Sequence, residues 1–326
     1  MDTGVKSFIS VIVCTQGRGE DLRSTLQSLQ SVRLSNALSA ELLVIENGIK
    51  GDAESAVNAF SHDRISARYI FMAETGKSRA LNLALRQARG EILLFSDDDI
   101  RFPTNWIDQM CESVLSGRAD AVAGGVRLAG HLHRPWMDRT HRAWLASTAD
   151  YLAPSEPSEL CGANMAFHRR VIEKVPSFET QLGPGVTGGG EESLFTWQLK
   201  QVGFRIDGRL DVEVEHHFNP SRLLYGCWLN TARSRGRTRA YLLHHWFHSS
   251  LRFPVLKSLY YRLKLQSRRA LSPARALDEE GIPAWEMSYL TDLAMCEAYE
   301  RERKLPRAYD RQGLRKLRNE VEAATP

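Results

Sequence analysis

The chain has 326 residues, enough for one large core or two smaller ones, and its 43% hydrophobic and 25% charged content is ordinary for a globular protein. No run approaches the roughly 18 uninterrupted apolar residues of a spanning helix, and the opening MDTGVKSFIS lacks the basic-then-apolar order of a secretion signal. Five scattered cysteines (Cys14, Cys111, Cys161, Cys227, Cys296), with no Cys-x-x-Cys pair, argue against disulfide and zinc frameworks and fit a reducing cytoplasm. The net charge of +4 hides an asymmetry: residues 216–277 hold twelve Lys and Arg and no Asp or Glu, so the rest of the chain is net acidic. Something anionic is expected to meet the basic segment.

In chain order, residues 8–15 predict a buried strand. Residues 16–19 predict a turn, and 20–29 a helix with Leu22, Leu26 and Leu29 on one face. Residues 41–46 predict a second strand closed by Asn47-Gly48, 53–60 a short helix and 68–71 a third strand. A helix over 78–87 leads to a fourth strand over 91–96, then a helix over 105–115 and a strand over 119–126. Residues 131–159, rich in Trp, Arg and Pro, have weak periodicity and are expected to loop over the sheet. A strand-like segment over 159–167, a glycine-rich run over 183–192, a helix over 193–202 and a strand over 211–217 complete this part. Alternating strands and helices predict an α/β fold with an open, mostly parallel sheet flanked by helices.

The fourth strand ends in Asp97, Asp98 and Asp99. Three adjacent carboxylates repel one another, and burial without counter-charge would cost several kcal/mol or their ionisation. One reading is a solvated turn or helix cap; the other is that a cation belongs there. Open α/β sheets bind ligands at the carboxyl ends of their strands. Thr15, Glu46 and Asp97 all fall at such ends, which favours the cation.

An ordered set of motifs then resembles the family 2 nucleotide-sugar glycosyltransferases of the GT-A fold. It comprises VIVCT (11–15) followed by Arg18, VIENG (44–48), GKSRALN (76–82), ARGEILLFSDDD (88–99), CGAN (161–164), GEE (190–192) and His216 after a strand. The resemblance covers residues 8–241, roughly three quarters of the chain. It implies a nucleoside-diphosphate sugar donor, a hydroxyl acceptor and Mn²⁺ or Mg²⁺. A divalent cation suits such a reaction because the leaving diphosphate gains negative charge, and carboxylate oxygens suit either metal.

By that resemblance Asp99 contacts the metal, with Asp97 near the metal or ribose and His216 facing the metal or diphosphate. Asp98 is counted with the donor-binding residues, although alternation along an extended segment turns it the other way. Thr15, Arg18 and Glu46 would hold base and ribose, and Lys77 and Arg79 would approach the diphosphate or base. For Arg79 a surface helix charge is the competing reading. Gly162, Ala163 and Asn164 would line the acceptor or donor-sugar pocket. Glu192 would be the general base of an inverting transfer, with Glu191 structural or acceptor-binding. Acidic residues in a first helical turn also suit the helix dipole, and the two readings are compatible. The glycines before them would form a mobile loop over the donor. The sequence departs from the family pattern at Gly17, where Asn is common, and at Glu46 and Glu192, where Asp is usual.

The implied organisation is a GT-A catalytic domain over 1–240, with a nucleotide-binding half over about 1–128 and an acceptor half over 129–240, then a helical extension over 241–326. In the extension Leu256, Leu259, Tyr260 and Leu263 form one helical stripe with Lys257, Lys264 and Arg268 beside it, and 282–304 predicts a further amphipathic helix. Such a stripe suits an anionic membrane surface at the cytoplasmic face, or packing on the catalytic domain. A lipid-linked saccharide is the acceptor that fits the first alternative. The tract from Arg233 to Arg239 would meet the donor diphosphate or an anionic acceptor. The histidine tracts at 131–133 and 244–248 read as surface or interface residues without acidic partners in register. Nucleic acid is not expected, because no recognition module accompanies the basic run. No Gly-x-Gly-x-x-Gly follows the first strand, which disfavours a dinucleotide enzyme. The competing class is a non-catalytic nucleotide-sugar binder or membrane-peripheral assembly protein with a decayed site.

Overall fold

A computed structural model describes residues 7–153 and 159–316. Residues 1–6, part of the expected loop over 131–159 and the end of the extension over 317–326 lie outside the described residues. In chain order the elements are β1 (Ser7–Thr15), α1 (Gly19–Gln30), β2 (Leu38–Asn47), α2 (Ala53–Asn58), β3 (Ile65–Met72), α3 (Lys77–Gln87), β4 (Ile92–Asp97), β5 (Ile100–Arg101), α4 (Trp106–Leu115) and β6 (Ala121–Leu128). Then follow α5 (Arg139–Trp144), α6 (Thr148–Tyr151), β7 (Met165–His168), α7 (Val171–Lys174), α8 (Glu191–Gln201), β8 (Ile206–His216), α9 (Tyr225–His245), α10 (Pro254–Ala270) and α11 (Ala284–Glu302).

The strands form an eight-stranded mixed sheet in the order β3-β2-β1-β4-β7-β6-β8-β5. β3, β2, β1 and β4 run parallel, β7 pairs antiparallel with β4 and β6, and β8 pairs parallel with β6. Alternation along the strands sorts two cores. Ile9, Val11 and Val13 face α1, α2 and α4 on one side. Ile12 and Cys14 face α3 and α8 on the other, where Phe95, Phe167, Phe178 and Phe195 stack on one another.

Two local features position the site. After β4 the chain turns through Asp98 and Asp99 into β5, whose Ile100 pairs antiparallel with His216 of β8. The His217 amide donates to the Asp99 carbonyl at 2.7 Å. A two-residue strand, too short for periodicity to reveal, thus places Asp99 beside His216.

The second feature is α9, which sequence periodicity did not predict. Its buried face carries Trp228, Leu229, Ala232, Gly236 and Ala240 at helical spacing. A Cβ on Gly236 would lie 2.4 Å from the Thr291 carbonyl oxygen, so glycine lets α11 approach this closely. Trp228, Met287 and Leu290 share a third core between these helices. Residue 240 lies inside α9. Residues 131–153 are more helical than a simple loop: α5 begins at a capping box in which the Asp138 side chain accepts from the Thr140 and His141 amides.

Candidate active site

The carboxyl ends of β1, β2 and β4, the turn before α8 and the inner face of α9 enclose a cavity of about 1010 Å³. Thr15, Arg18, Lys77, Asp97, Asp99, Gly162, Ala163, Glu191, Glu192 and His216 line it. Ten of the residues singled out in the sequence therefore come together.

The three aspartates are each neutralised differently. Lys77 Nζ donates to Asp97 Oδ1 at 2.6 Å and lies 3.4 Å from Glu192 Oε1. Arg18 spans the other two, with Nη2 2.5 Å from Asp98 Oδ1 and Nη1 2.8 Å from Asp99 Oδ2. Arg222 stands 4.0 Å from Asp99 Oδ2. Counter-charge from Arg18, Lys77 and Arg222 explains how adjacent carboxylates persist at the edge of a core. Burial would lower the Lys77 ammonium, but Asp97, Glu192 and Glu191 outweigh it and hold the group well above its ordinary value.

Asp98 is not at the cavity. It is 0% exposed and accepts from the Thr15 hydroxyl at 2.5 Å, holding Thr15 and Arg18 from beneath. Burial pushes its carboxyl up to about 7 despite Arg18. The expected alternation is what the structure has, and the placing of Asp98 against the donor is corrected.

Glu46 needs the same correction. It is 1% exposed and accepts from the Gly51 amide at 2.9 Å and the Tyr69 hydroxyl at 2.6 Å. Its neighbour Asn47 faces the cavity instead, donating to the Thr15 carbonyl at 2.9 Å and accepting from the Gly76 amide at 3.0 Å. Arg79 sits on the exposed face of α3 and does not line the cavity. Asn164 is buried under β6: its side chain donates to the carbonyls of Gly125 and Val212, both at 2.8 Å, and accepts from Trp106 Nε1 at 2.9 Å. It buttresses the sheet, and Cys161, Gly162 and Ala163 are the residues of that motif that reach the cavity.

His216 Nε2 lies 3.3 Å from Asp99 Oδ1, while Nδ1 is 3.2 Å from the Leu145 carbonyl. A carbonyl only accepts, so the imidazole proton belongs on Nδ1. In the neutral imidazole the Nε2 lone pair then faces Asp99 Oδ1, a buried oxygen whose ion-pair neighbour is this ring; an imidazolium would instead donate to it. Two facing acceptors, one imidazole nitrogen and one carboxylate oxygen, are a donor set that fits a divalent cation. Asp97 is tied to Lys77 instead, and no cluster of three or more His, Cys, Asp or Glu suited to a metal occurs among the described residues. A cation here would take its remaining ligands from a bound diphosphate and water.

Glu191 and Glu192 open α8 behind Gly190, whose φ of 96° places it in the left-handed region. They differ sharply in environment. Glu191 is 1% exposed and packs against Gly183, and its Oε2 has no partner among the described residues. Burial and the adjacent Glu192 push its carboxyl up to about 8. Glu192 is 19% exposed and faces the cavity beside Lys77. Gly162 lies directly against it, since a Cβ there would be 2.3 Å from Glu192 Oε1 and 2.9 Å from Lys77 Nζ.

The glycine-rich run is docked on α9. The Thr238 hydroxyl donates to the Gly189 carbonyl at 2.9 Å, and a Cβ on Gly188 or Gly190 would collide with Ser234 or Thr238. Cys14 and Cys161 also line the cavity, but burial pushes both thiols up to about 12, so neither offers a thiolate nucleophile.

Sequence reading missed Gln16, Asn47, Trp144, Trp197 and Arg222, all lining the cavity. Arg235 and Arg239, from the tract expected to meet the donor diphosphate or an anionic acceptor, line it too. The acid-free basic stretch was the one signal for Arg222. The distal histidines also differ from expectation: His245 is buried and lies 3.0 Å from Glu302 of α11, and His244 is buried against the Leu305 carbonyl.

A parallel β-α-β half joined through β7 to a mixed half, with an Asp-x-Asp turn over the junction, defines the GT-A fold. Comparison with solved structures agrees. The mannosyltransferase PcManGT from Pyrobaculum calidifontis, in complex with GDP-Man and Mn²⁺, aligns with 91% of this chain and 86% of its own at 18% identity and a TM-score of 0.57. S. aureus TarS 1–349 in complex with UDP aligns with 91% of this chain and 90% of its own at 15% identity and a TM-score of 0.50. Among curated proteins, the succinoglycan biosynthesis protein ExoM of Rhizobium meliloti (strain 1021) is 28% identical over 120 residues, 36% of this chain and 38% of that protein. The chain thus matches well under half the length of that relative. The family model of glycosyl transferase family 2 matches residues 10–176. The chain belongs to glycosyl transferase family 2.

Proposed function

We propose that the protein is a metal-dependent, inverting glycosyltransferase that moves one sugar from a nucleoside-diphosphate donor to a hydroxyl acceptor. The observation that carries this reading is the Asp99 Oδ1–His216 Nε2 pair, which lines one cavity with Lys77 and Glu192. Relatives of the same fold bind GDP-Man with Mn²⁺, or UDP. Mn²⁺ or Mg²⁺ held by Asp99 and His216 would supply charge neutralisation for the departing diphosphate.

The chain's own residues do the rest. Thr15, Gln16 and Asn47 line the end of the cavity that suits base and ribose, and Arg18 and Lys77 bring positive charge to the phosphates. Lys77 can exchange Asp97 for a phosphate oxygen without leaving its place, because it already bridges two carboxylates. Glu192 is the exposed carboxylate of the pair and takes the proton from the acceptor hydroxyl, whereas Glu191, raised to about 8, is kept neutral and structural. In this division residues 1–128 supply most of the donor site, and 129–240 supply the acceptor side together with His216 and Arg222, which reach the metal and diphosphate.

The extension over 241–326 adds a surface. Pro254 and Leu265 are the buried residues of α10, while Leu256, Leu259, Tyr260 and Leu263 are exposed, with Lys257, Lys264 and Arg268 exposed beside them. Among the described residues no helix is long and apolar enough to cross a membrane. We read α10 as an interfacial helix resting on the anionic cytoplasmic face of a membrane, where a lipid-linked saccharide would be the acceptor.

Titration of UDP and GDP, with and without Mn²⁺, tests the donor site. Wild type should bind one nucleotide more tightly with the metal, and Asp99→Asn should lose that gain. Equal affinity in both proteins, with and without metal, contradicts the reading.

A further inference from the structure

The basic tract of α9 is sorted by its partners. Arg233 is exposed and faces Asn230, and Arg237 donates to the Ser234 hydroxyl at 2.8 Å. Arg239 lines the cavity but pairs with Asp292 at 3.0 Å. Arg235 is different. It lines the cavity, its guanidinium carbon lies 4.8 Å from the centre of the Trp144 ring, and no carboxylate among the described residues pairs with it. Among the described residues Tyr151 is its one ionisable neighbour, and burial without counter-charge from them pulls the guanidinium down to about 10. A half-buried cation on an aromatic face is stabilised by the ring quadrupole, yet keeps donors that want an anion.

Arg222 supplies the contrast. It lies within electrostatic reach of Asp97, Asp98, Asp99 and Arg18, so it belongs to the diphosphate end. Arg235 feels none of these groups. Its surroundings are Trp144 and Tyr151, from the segment that covers the sheet. These aromatic residues and Trp197 line the cavity and offer flat apolar faces on which a sugar ring can pack.

We propose that Arg235, stacked on Trp144, forms a subsite for a negatively charged substituent on the acceptor saccharide, a carboxylate or a phosphate. The planar guanidinium matches either group with two parallel hydrogen bonds. The inference rests on the proposed transfer reaction and specifies its acceptor: an acidic saccharide. The enzyme would then act after a reaction that oxidises a sugar to a uronate, or one that phosphorylates it.

The test uses the full chain and three probes: methyl glucuronide, glucose 6-phosphate and the neutral methyl glucoside. Affinities are read by ligand-observed NMR. Wild type should bind at least one acidic probe roughly tenfold more tightly than the neutral one, as a charged hydrogen-bond pair allows. Preference for the uronate assigns a carboxylate, and preference for the phosphate ester assigns a phosphate. Arg235→Gln should abolish the preference, and Arg235→Lys should keep part of it. Equal affinity for all three in wild type, or no binding by any of them, overturns the proposal. So does a preference that survives Arg235→Gln. Thermal unfolding checks that the variants fold. UDP and GDP affinities are measured in parallel: if they fall together with the preference, Arg235 belongs to the donor end and the proposal fails. If wild type binds neither nucleotide, the transfer reading itself has failed.

Discussion

Gly162→Ala probes Glu192, the proposed general base, without replacing it. The new Cβ would sit 2.3 Å from Glu192 Oε1 and 2.9 Å from Lys77 Nζ. Ordinary contact needs about 3.4 Å, so Glu192 Oε1 must move by roughly 1 Å, and a misplacement of that size can cost about 100-fold in rate. The cost in stability is small. Both colliding atoms are the far ends of flexible side chains, and Gly162 is not among the residues with positive φ, so alanine fits the backbone. The expected result is a fall of about 100-fold in turnover with a melting temperature within a few degrees of wild type. Nucleoside-diphosphate release under saturating donor measures the first, and differential scanning fluorimetry the second. Full turnover with an unchanged melting temperature would show that neither Glu192 nor Lys77 needs its observed position. A large loss of stability would show that the cost of the added methyl had been misjudged.

Three further expectations follow from individual side chains. Glu191 has its folded-state pKa raised from 4.5 to about 8, so as pH rises between those values the unfolded chain ionises and the folded chain does not, and stability falls. Glu191→Gln removes that loss, so its melting temperature should gain on wild type from pH 5 to pH 8; a constant or shrinking difference would refute the assignment. Asn164→Ala deletes three buried hydrogen bonds, to Gly125, Val212 and Trp106, and should cost about 3 kcal/mol or more in urea unfolding; a loss below ~1 kcal/mol would refute the buttress role. Leu259→Glu with Leu263→Glu should release the protein from sedimenting phosphatidylglycerol vesicles while leaving nucleotide affinity intact, and binding unaffected by both changes would refute the interfacial reading of α10.

Much of residues 7–128 was legible because β1, β2 and β4 are buried on both faces and α1, α3 and α4 carry apolar stripes. Residues 8–15 and 78–87 predicted elements that differ from β1 and α3 by one residue at one end. The site was legible where a motif ended a strand, as at Thr15, Asp97 and Asp99. It failed where orientation decided the matter. Glu46 and Asn47 are adjacent, and only the pairing of β2 with its neighbours tells which one faces the cavity. Asn164 looked like a pocket residue, but its amide was needed by β6 and β8. The region after His216 was least legible. α9 is buried through small residues such as Gly236 and Ala240, interleaved with arginines, so its apolar signal is weak although its contact with α11 is close. Arg222 and Arg235 approach the cavity only through that tertiary packing.

The most direct test of the central claim is nucleoside-diphosphate release from a panel of nucleotide sugars with Mn²⁺ or Mg²⁺, comparing wild type, Asp99→Asn and Glu192→Gln. One donor should be turned over by wild type in a metal-dependent way. Asp99→Asn should lose the metal dependence, and Glu192→Gln should still bind that donor but turn it over roughly 10² to 10⁴ times more slowly. Release that is independent of metal and unaffected by both substitutions would contradict the account.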